Sequence, residues 1–220
     1  MESLLEKITL YDLLGYMFSG CILNLMILLG LYQQYSSEME KIYEDYEGGL
    51  TFAFFLISYL AGILLSEISE FINSWIKKLL KKVKMSGSIG GMEETGASEE
   101  ELAAALVSSG IMERPDKIKE KINSQGWQVY MKYMYGLLQS DERYRRIHNY
   151  ASIVVLCKNV SMALVSGMLF LLLYRSCSFI LGTAILLSVV VLIRRGVRFK
   201  KKKDTYTIVW FIDKYKVNSD

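Results

Sequence analysis

The chain has 220 residues, 52% of them hydrophobic, with 26 basic against 23 acidic side chains, a formal charge of +3 and one proline. Mean hydropathy is +0.24, and the apolar residues come in blocks, which argues against an ordinary soluble domain. The three cysteines, Cys21, Cys157 and Cys177, show no C-x-x-C spacing, and His148 stands alone, so neither a paired disulfide framework nor a Cys/His metal site is indicated.

Asp12 stands where the first uncharged run begins, in "KITLYDLLGYMFSG". Thr9 and Asp12 have the T-x-x-D spacing of a capping box ahead of an apolar run. A carboxylate there suits the positive end of a helix dipole. A bilayer-crossing helix needs roughly 20 mostly apolar residues, and a first span is expected over about 12–32. Its flanks lack the basic n-region of a cleavable signal peptide, so it reads as an anchor. Asn24 falls near its middle. Gly15 and Ser19 have the small-xxx-small spacing that lets helices approach.

An acidic segment follows, with Glu38, Glu40, Glu44, Asp45 and Glu47 against Lys41. The second span is expected over about 49–68, ending at Glu67 and Glu70, and closes an N-terminal hairpin over 1–76. Beyond it lie Lys77, Lys78, Lys81 and Lys82.

Residues 77–150 form an insert with a Gly/Ser-rich linker over 85–98. Ser98 and Glu101 make a capping box and Gly110 a stop signal. Pro115 sits near the start of a second short helix. From Ser124, apolar spacing at Trp127, Tyr130, Met134, Leu137 and Leu138 predicts an amphipathic helix. No breaker is evident after Gly136, so one long helix is expected to run into the third span.

The C-terminal hairpin, 151–195, holds spans over about 153–174 and 177–193. Lys158 and Asn159 fall within the third. Ionisable and amide groups at that depth are costly and therefore informative. Lys158 is expected either to snorkel back to the interface or to pair with Glu67 or Asp12. Ser178 and Gly182 repeat the small-xxx-small spacing. The tail, 196–220, follows Arg194, Arg195, Arg198 and Lys200, and holds a short amphipathic element, helical or, from "TYTIVWFI", a strand.

Basic residues beside spans mark the cytoplasmic side. The segments after the second and fourth spans are basic, and the segment between the first two is acidic. Both termini are therefore expected in the cytoplasm. The basic runs abut spans, where topology and anionic headgroups account for them without nucleic acid. The fold class expected is an all-α membrane protein of four transmembrane helices. A helical cytoplasmic insert lies between helices 2 and 3, and the third span continues a long cytoplasmic helix. No P-loop, H-E-x-x-H or Ser/His/Asp set is present. No catalytic residue, cofactor or metal is therefore expected, and no enzyme. The expected partners are the lipid bilayer, a cytoplasmic protein and a second copy of the chain.

The stretches "ITLYDLLGYMFSG", "FAFFLISYLAGILLSEIS" and "SDERYRRIHNYASIVVLCKNVSMAL" resemble small four-span bacterial membrane proteins of antiviral defence loci. These include the accessory membrane proteins beside Cas13b-type CRISPR effectors and, second, the Kiwa membrane subunit. The resemblance implies a role in phage defence at the inner membrane, by coupling a cytoplasmic partner to the membrane or by perturbing it. The residues themselves leave two other readings open: a channel or transporter subunit, and an anchor that recruits a soluble partner through 77–150.

Overall fold

The computed structural model describes residues 10–82, 98–111, 127–139, 141–175 and 177–216. Among these every regular element is helical: α1 (Leu10–Lys82), α2 (Glu99–Ser108), α3 (Trp127–Gln139), a 3-10 turn (Glu142–Tyr144), α4 (Arg145–Leu173) and α5 (Phe179–Lys216). Four stretches are long and apolar enough to cross a membrane: Gly15–Ile42, Gly49–Ile72, Arg146–Leu173 and, within α5, Phe179–Tyr215. The linker 85–98, apart from Ser98, and the helix expected near Pro115 lie outside the described residues.

The chain divides into two compact units. The first comprises 1–84 and 152–197, and the second comprises 85–151 and 198–220. The insert and the tail therefore belong to one body, and both later chain crossings between the units fall inside helices, α4 and α5.

In the first unit α1 is a hairpin. Its helical path breaks at Tyr35 (φ −128°, ψ 35°) and Tyr46 (φ −133°, ψ 27°), and the acidic segment between them is itself helical. The two arms return close enough for Gly20 to lie against the Ser58 carbonyl and Gly62 against the Tyr16 carbonyl. α4 packs on the first arm in parallel. Gly167 lies against Met26, and Gly30 lies 3.0 Å or more, by its would-be Cβ, from Phe170 and Leu171. Leu171, Ile185 and Val189 form a buried cluster with Met26, Leu164 and Met168. The outer surface is the reverse of a soluble protein's: Phe52, Leu64, Leu187 and Val191 are all exposed. Hydrocarbon is the solvent that suits such a shell.

α4 ends at a tight turn. Arg175 adopts φ 52°, and its N–H donates to the Leu172 carbonyl at 3.1 Å. This is the left-handed helix-end position that glycine usually fills. An L-residue there costs about 1–2 kcal/mol. Ser178 then caps α5, its Oγ accepting from the Leu181 N–H at 3.3 Å.

In the second unit the core is Leu102, Leu106, Met134, Leu138, Tyr144 and Ile147 together with Ile208, Phe211 and Ile212. α2 has the expected capping box. Ser98 Oγ accepts from the Glu101 N–H at 3.1 Å, and Glu101 Oε2 accepts from the Ser98 N–H at 3.2 Å. Its end is a Schellman motif. Gly110 (φ 73°) donates to Val107, Ile111 donates to Leu106, and Ile111 packs on the same core.

Two expectations are corrected. No single helix runs from Ser124 into the third span: α3 stops at Gln139 and α4 begins at Arg145. Asp141 makes the break. Its Oδ1 accepts from the Arg143 N–H at 3.1 Å, and its carbonyl accepts from the Tyr144 N–H at 3.0 Å. Asp competes with helix by bonding its own backbone two residues on, and "SDER" carried that signal after Gly136. The tail, in turn, is no separate short element or strand. α5 continues without a break from Phe179 to Lys216. Burial of Ile208, Phe211 and Ile212 at helical spacing overrides the β-propensity of "TYTIVWFI".

Candidate functional site

The first unit carries a line of polar side chains through its interior. Ser19, Ser58 and Asn159 are fully buried, and Ser69 and Ser161 nearly so. Most are satisfied locally. Ser19 Oγ lies 2.9 Å from the carbonyls of Gly15 and Tyr16. Ser161 Oγ donates to the Cys157 carbonyl at 2.7 Å. One bond joins the two arms of α1: Asn24 Nδ2 donates to Ser58 Oγ at 2.9 Å. It sits beside the Gly20/Gly62 crossing, where the absence of side chains lets the backbones meet.

Asn159 is different. Neither its Nδ2 nor its Oδ1 has a hydrogen-bond partner among the described residues. An unpaired buried amide costs about 1–3 kcal/mol, so this is the most strained polar group in the first unit's described interior. Asn159 lies two helical turns before Gly167 on α4.

Lys158 pairs with Glu70, at 3.7 Å, and not with the exposed Glu67; the other expected partner, Asp12, has its side chain outside the described residues. Glu67 and Glu70, three residues apart, share one side of the helix, and it is Glu70 whose carboxylate reaches Lys158 on α4. The pair is loose, with Glu70 73% exposed; such pairs contribute little in water. Glu67 is exposed. Asp12 lies within α1, but its side chain, like those of Lys77, Lys78, Lys81 and Lys82, lies outside the described residues. Thr9 also lies outside them. Arg194, Arg195, Arg198 and Lys200 are exposed along α5.

The four small residues singled out for packing do different work. A Cβ at Gly15 would meet nothing within 4 Å, and one at Gly182 would meet only Cys177 Sγ at 3.4 Å. Ser19 back-bonds to its own helix, and Ser178 is a cap. The close crossing belongs to Gly20, Ser58 and Gly62. Ser58 and Gly62 have the same small-xxx-small spacing in "SYLAG", so the signal was present and the sequence offered no way to rank it.

The second unit carries a run of rings. Phe199 and Tyr150 stand 5.8 Å apart, Tyr150 and Tyr206 stack at 5.5 Å, Tyr206 and Trp210 stand at 5.3 Å, and Trp210 and Tyr144 at 5.6 Å. Arg143 and Lys214 each lie 5.8 Å from the Tyr144 ring. Asp141 collects both cations: Arg143 Nη2 at 3.0 Å and Lys214 Nζ at 3.7 Å. The Arg143 hydrogen bonds, side chain first and backbone second, hold the Asp141 carboxyl below its ordinary range. His148 is half-buried, its Nδ1 3.2 Å from Tyr135 Oη. Sequence reading missed this, because the partner lies on another helix.

Cys21, Cys157 and Cys177 are free thiols, and no group of three His, Cys, Asp or Glu able to hold a metal occurs among the described residues. No protein-family model, curated protein or solved structure matches this chain.

Proposed function

We propose that the chain is an integral inner-membrane protein that holds a folded helical domain for a soluble cytoplasmic partner, and that it serves bacterial antiviral defence. The observation that supports the anchoring role is the composition of the second unit. Its core draws on α2, α3, the start of α4 and the end of α5. The chain leaves the apolar unit twice to build one separate body. A protein that only crossed the membrane would not need a second core. The exposed apolar groups of that body, Val129 at 52% and Tyr133 at 61%, offer the partner a docking surface. Basic residues flanking the second and fourth spans support a cytoplasmic placement. The defence role rests on the sequence resemblance, which names a nuclease-type effector as the class of partner.

The test is phage challenge of cells expressing the chain with its neighbouring genes. Wild type should lower plaquing. Phe211→Asp, which breaks the second core, should abolish the effect while the chain stays in the membrane fraction. Unchanged plaquing with wild type in the membrane would count against the defence role. Full protection by Phe211→Asp would count against the domain as the working part.

A second reading, a channel subunit, is favoured by one observation: the unpaired Asn159 amide inside a span. Ion flux in proteoliposomes that Asn159→Leu abolishes would support it, and absence of flux would remove it.

A further inference from the structure

Where α4 ends, an open cleft of about 500 Å³ is lined by Gln33, Gln34, Leu173, Tyr174 and Arg175. All five belong to the first unit. Its size is that of a small-ligand site. Both glutamines and Arg175 are exposed, and none of their three side chains has a hydrogen-bond or ion-pair partner among the described residues. None of the lining residues is acidic. Arg175 holds the left-handed position where glycine is the usual choice. A cation kept at such a position points to a use for its side chain, since strained residues concentrate at working sites. Tyr174 stacks on Phe170 at 4.4 Å and walls one side. Leu173 in the lining is 81% exposed, and Phe179 and Ile180, which open α5 four and five residues after Arg175, are 89% and 81% exposed.

The chemistry is that of a phosphate with an apolar tail. A guanidinium matches phosphate oxygens in fork geometry. Primary amides donate to the remaining oxygens and to headgroup hydroxyls. The bare apolar track accepts hydrocarbon, which a free anion would leave unused. We propose that this cleft binds one phospholipid, its phosphodiester held by Arg175 with Gln33 and Gln34, its acyl chains along Leu173, Phe179 and Ile180. The proposal rests on the membrane placement above and is independent of any defence role. By that placement the lipid belongs to the leaflet away from the basic residues Arg194 and Arg195.

The test uses the full chain purified in mild detergent from the membrane fraction. Thermal unfolding is followed with added phosphatidylglycerol, with diacylglycerol and with inorganic phosphate, and retained lipid is read by native mass spectrometry. Phosphatidylglycerol alone should raise the melting temperature, with one phospholipid retained per chain. Arg175→Gly suits the backbone, so it should melt at or above wild type without lipid, yet bind lipid roughly 10–100-fold more weakly. Equal lipid binding by wild type and Arg175→Gly overturns the proposal. So does a shift produced by inorganic phosphate alone, which marks a free-anion site, or by diacylglycerol, which marks apolar adsorption. A chain absent from the membrane fraction overturns the membrane placement itself, before any lipid is added.

Discussion

Gly62→Ala should loosen the first unit at one identifiable contact. Gly62 lies against the Tyr16 backbone, and Gly20 against the Ser58 backbone. A methyl at Gly62 would overlap the carbonyl, carbon and Cα of Tyr16. These are backbone atoms, so no rotamer change relieves the overlap and the two arms of α1 must separate. Overpacking of this kind costs about 1–3 kcal/mol. Separation also lengthens the Asn24–Ser58 bond, 2.9 Å in the intact hairpin, and interhelical bonds in membranes average roughly 0.6 kcal/mol. Against this, alanine gains about 0.8–1 kcal/mol of helix propensity over glycine. The balance is a net loss of roughly 1–3 kcal/mol. Gly15→Ala is the internal control: its Cβ meets nothing within 4 Å, so propensity alone acts and stability should hold or rise. The assay is unfolding of purified protein in mixed micelles by titrated denaturing detergent, followed by helicity. Gly20→Ala with Gly62→Ala together should cost less than the sum, because the first separation makes room for the second methyl. Equal stability of Gly62→Ala and Gly15→Ala would refute the close crossing.

Asn159→Leu replaces an unpaired amide with an apolar group of similar size, and should stabilise the first unit by about 1–3 kcal/mol in the same assay; destabilisation would mean the amide has a partner. Ser98→Ala removes one half of the α2 capping box and should cost about 0.5–2 kcal/mol. Gly110→Ala should cost about 1–2 kcal/mol, through its positive φ rather than any clash; both are read as earlier proteolysis within the second unit. Asp141 predicts a pH dependence. Its folded-state pKa is depressed, so its stabilising effect is present above the unfolded value of 3.8 and fades as pH falls toward the lower folded value. Hydrogen-exchange protection at the α3–α4 turn, taken relative to the intrinsic rate at each pH, should therefore fall below about pH 4, and Asp141→Asn should remove that limb of the profile. A profile unchanged by the substitution would place the acid sensitivity elsewhere.

Local signals were legible where a few adjacent residues carry all the chemistry. The α2 capping box and its Gly110 stop follow from Ser98, Glu101 and Gly110 alone, because every bond they make is within a turn. The four apolar stretches were legible because span length is set by bilayer thickness and composition, which need no partner. The break at Asp141 is equally local, but its signal is weaker than a glycine or proline: an Asp able to bond its own backbone two residues on.

Other features depended on which faces meet. Small-xxx-small spacing occurs at Gly15/Ser19, Ser58/Gly62 and Ser178/Gly182, and only helix rotation selects Ser58 and Gly62, with Gly20 opposite, as the contact. Lys158 has several carboxylates near its depth in the sequence, and the packing of α4 on the hairpin gives it to Glu70. The tail carried strand propensity, and burial against α2 and α3 made it helix. Gln33, Gln34 and Arg175 looked like ordinary edge residues of separate segments; only the packed hairpins gather them around one cleft. Composition and period thus determined that the chain has four apolar helices and a polar insert. Contacts between residues far apart in sequence decided which helices touch, which polar groups pair, and that insert and tail share one core, because those depend on helix phase and packing, which no single segment encodes.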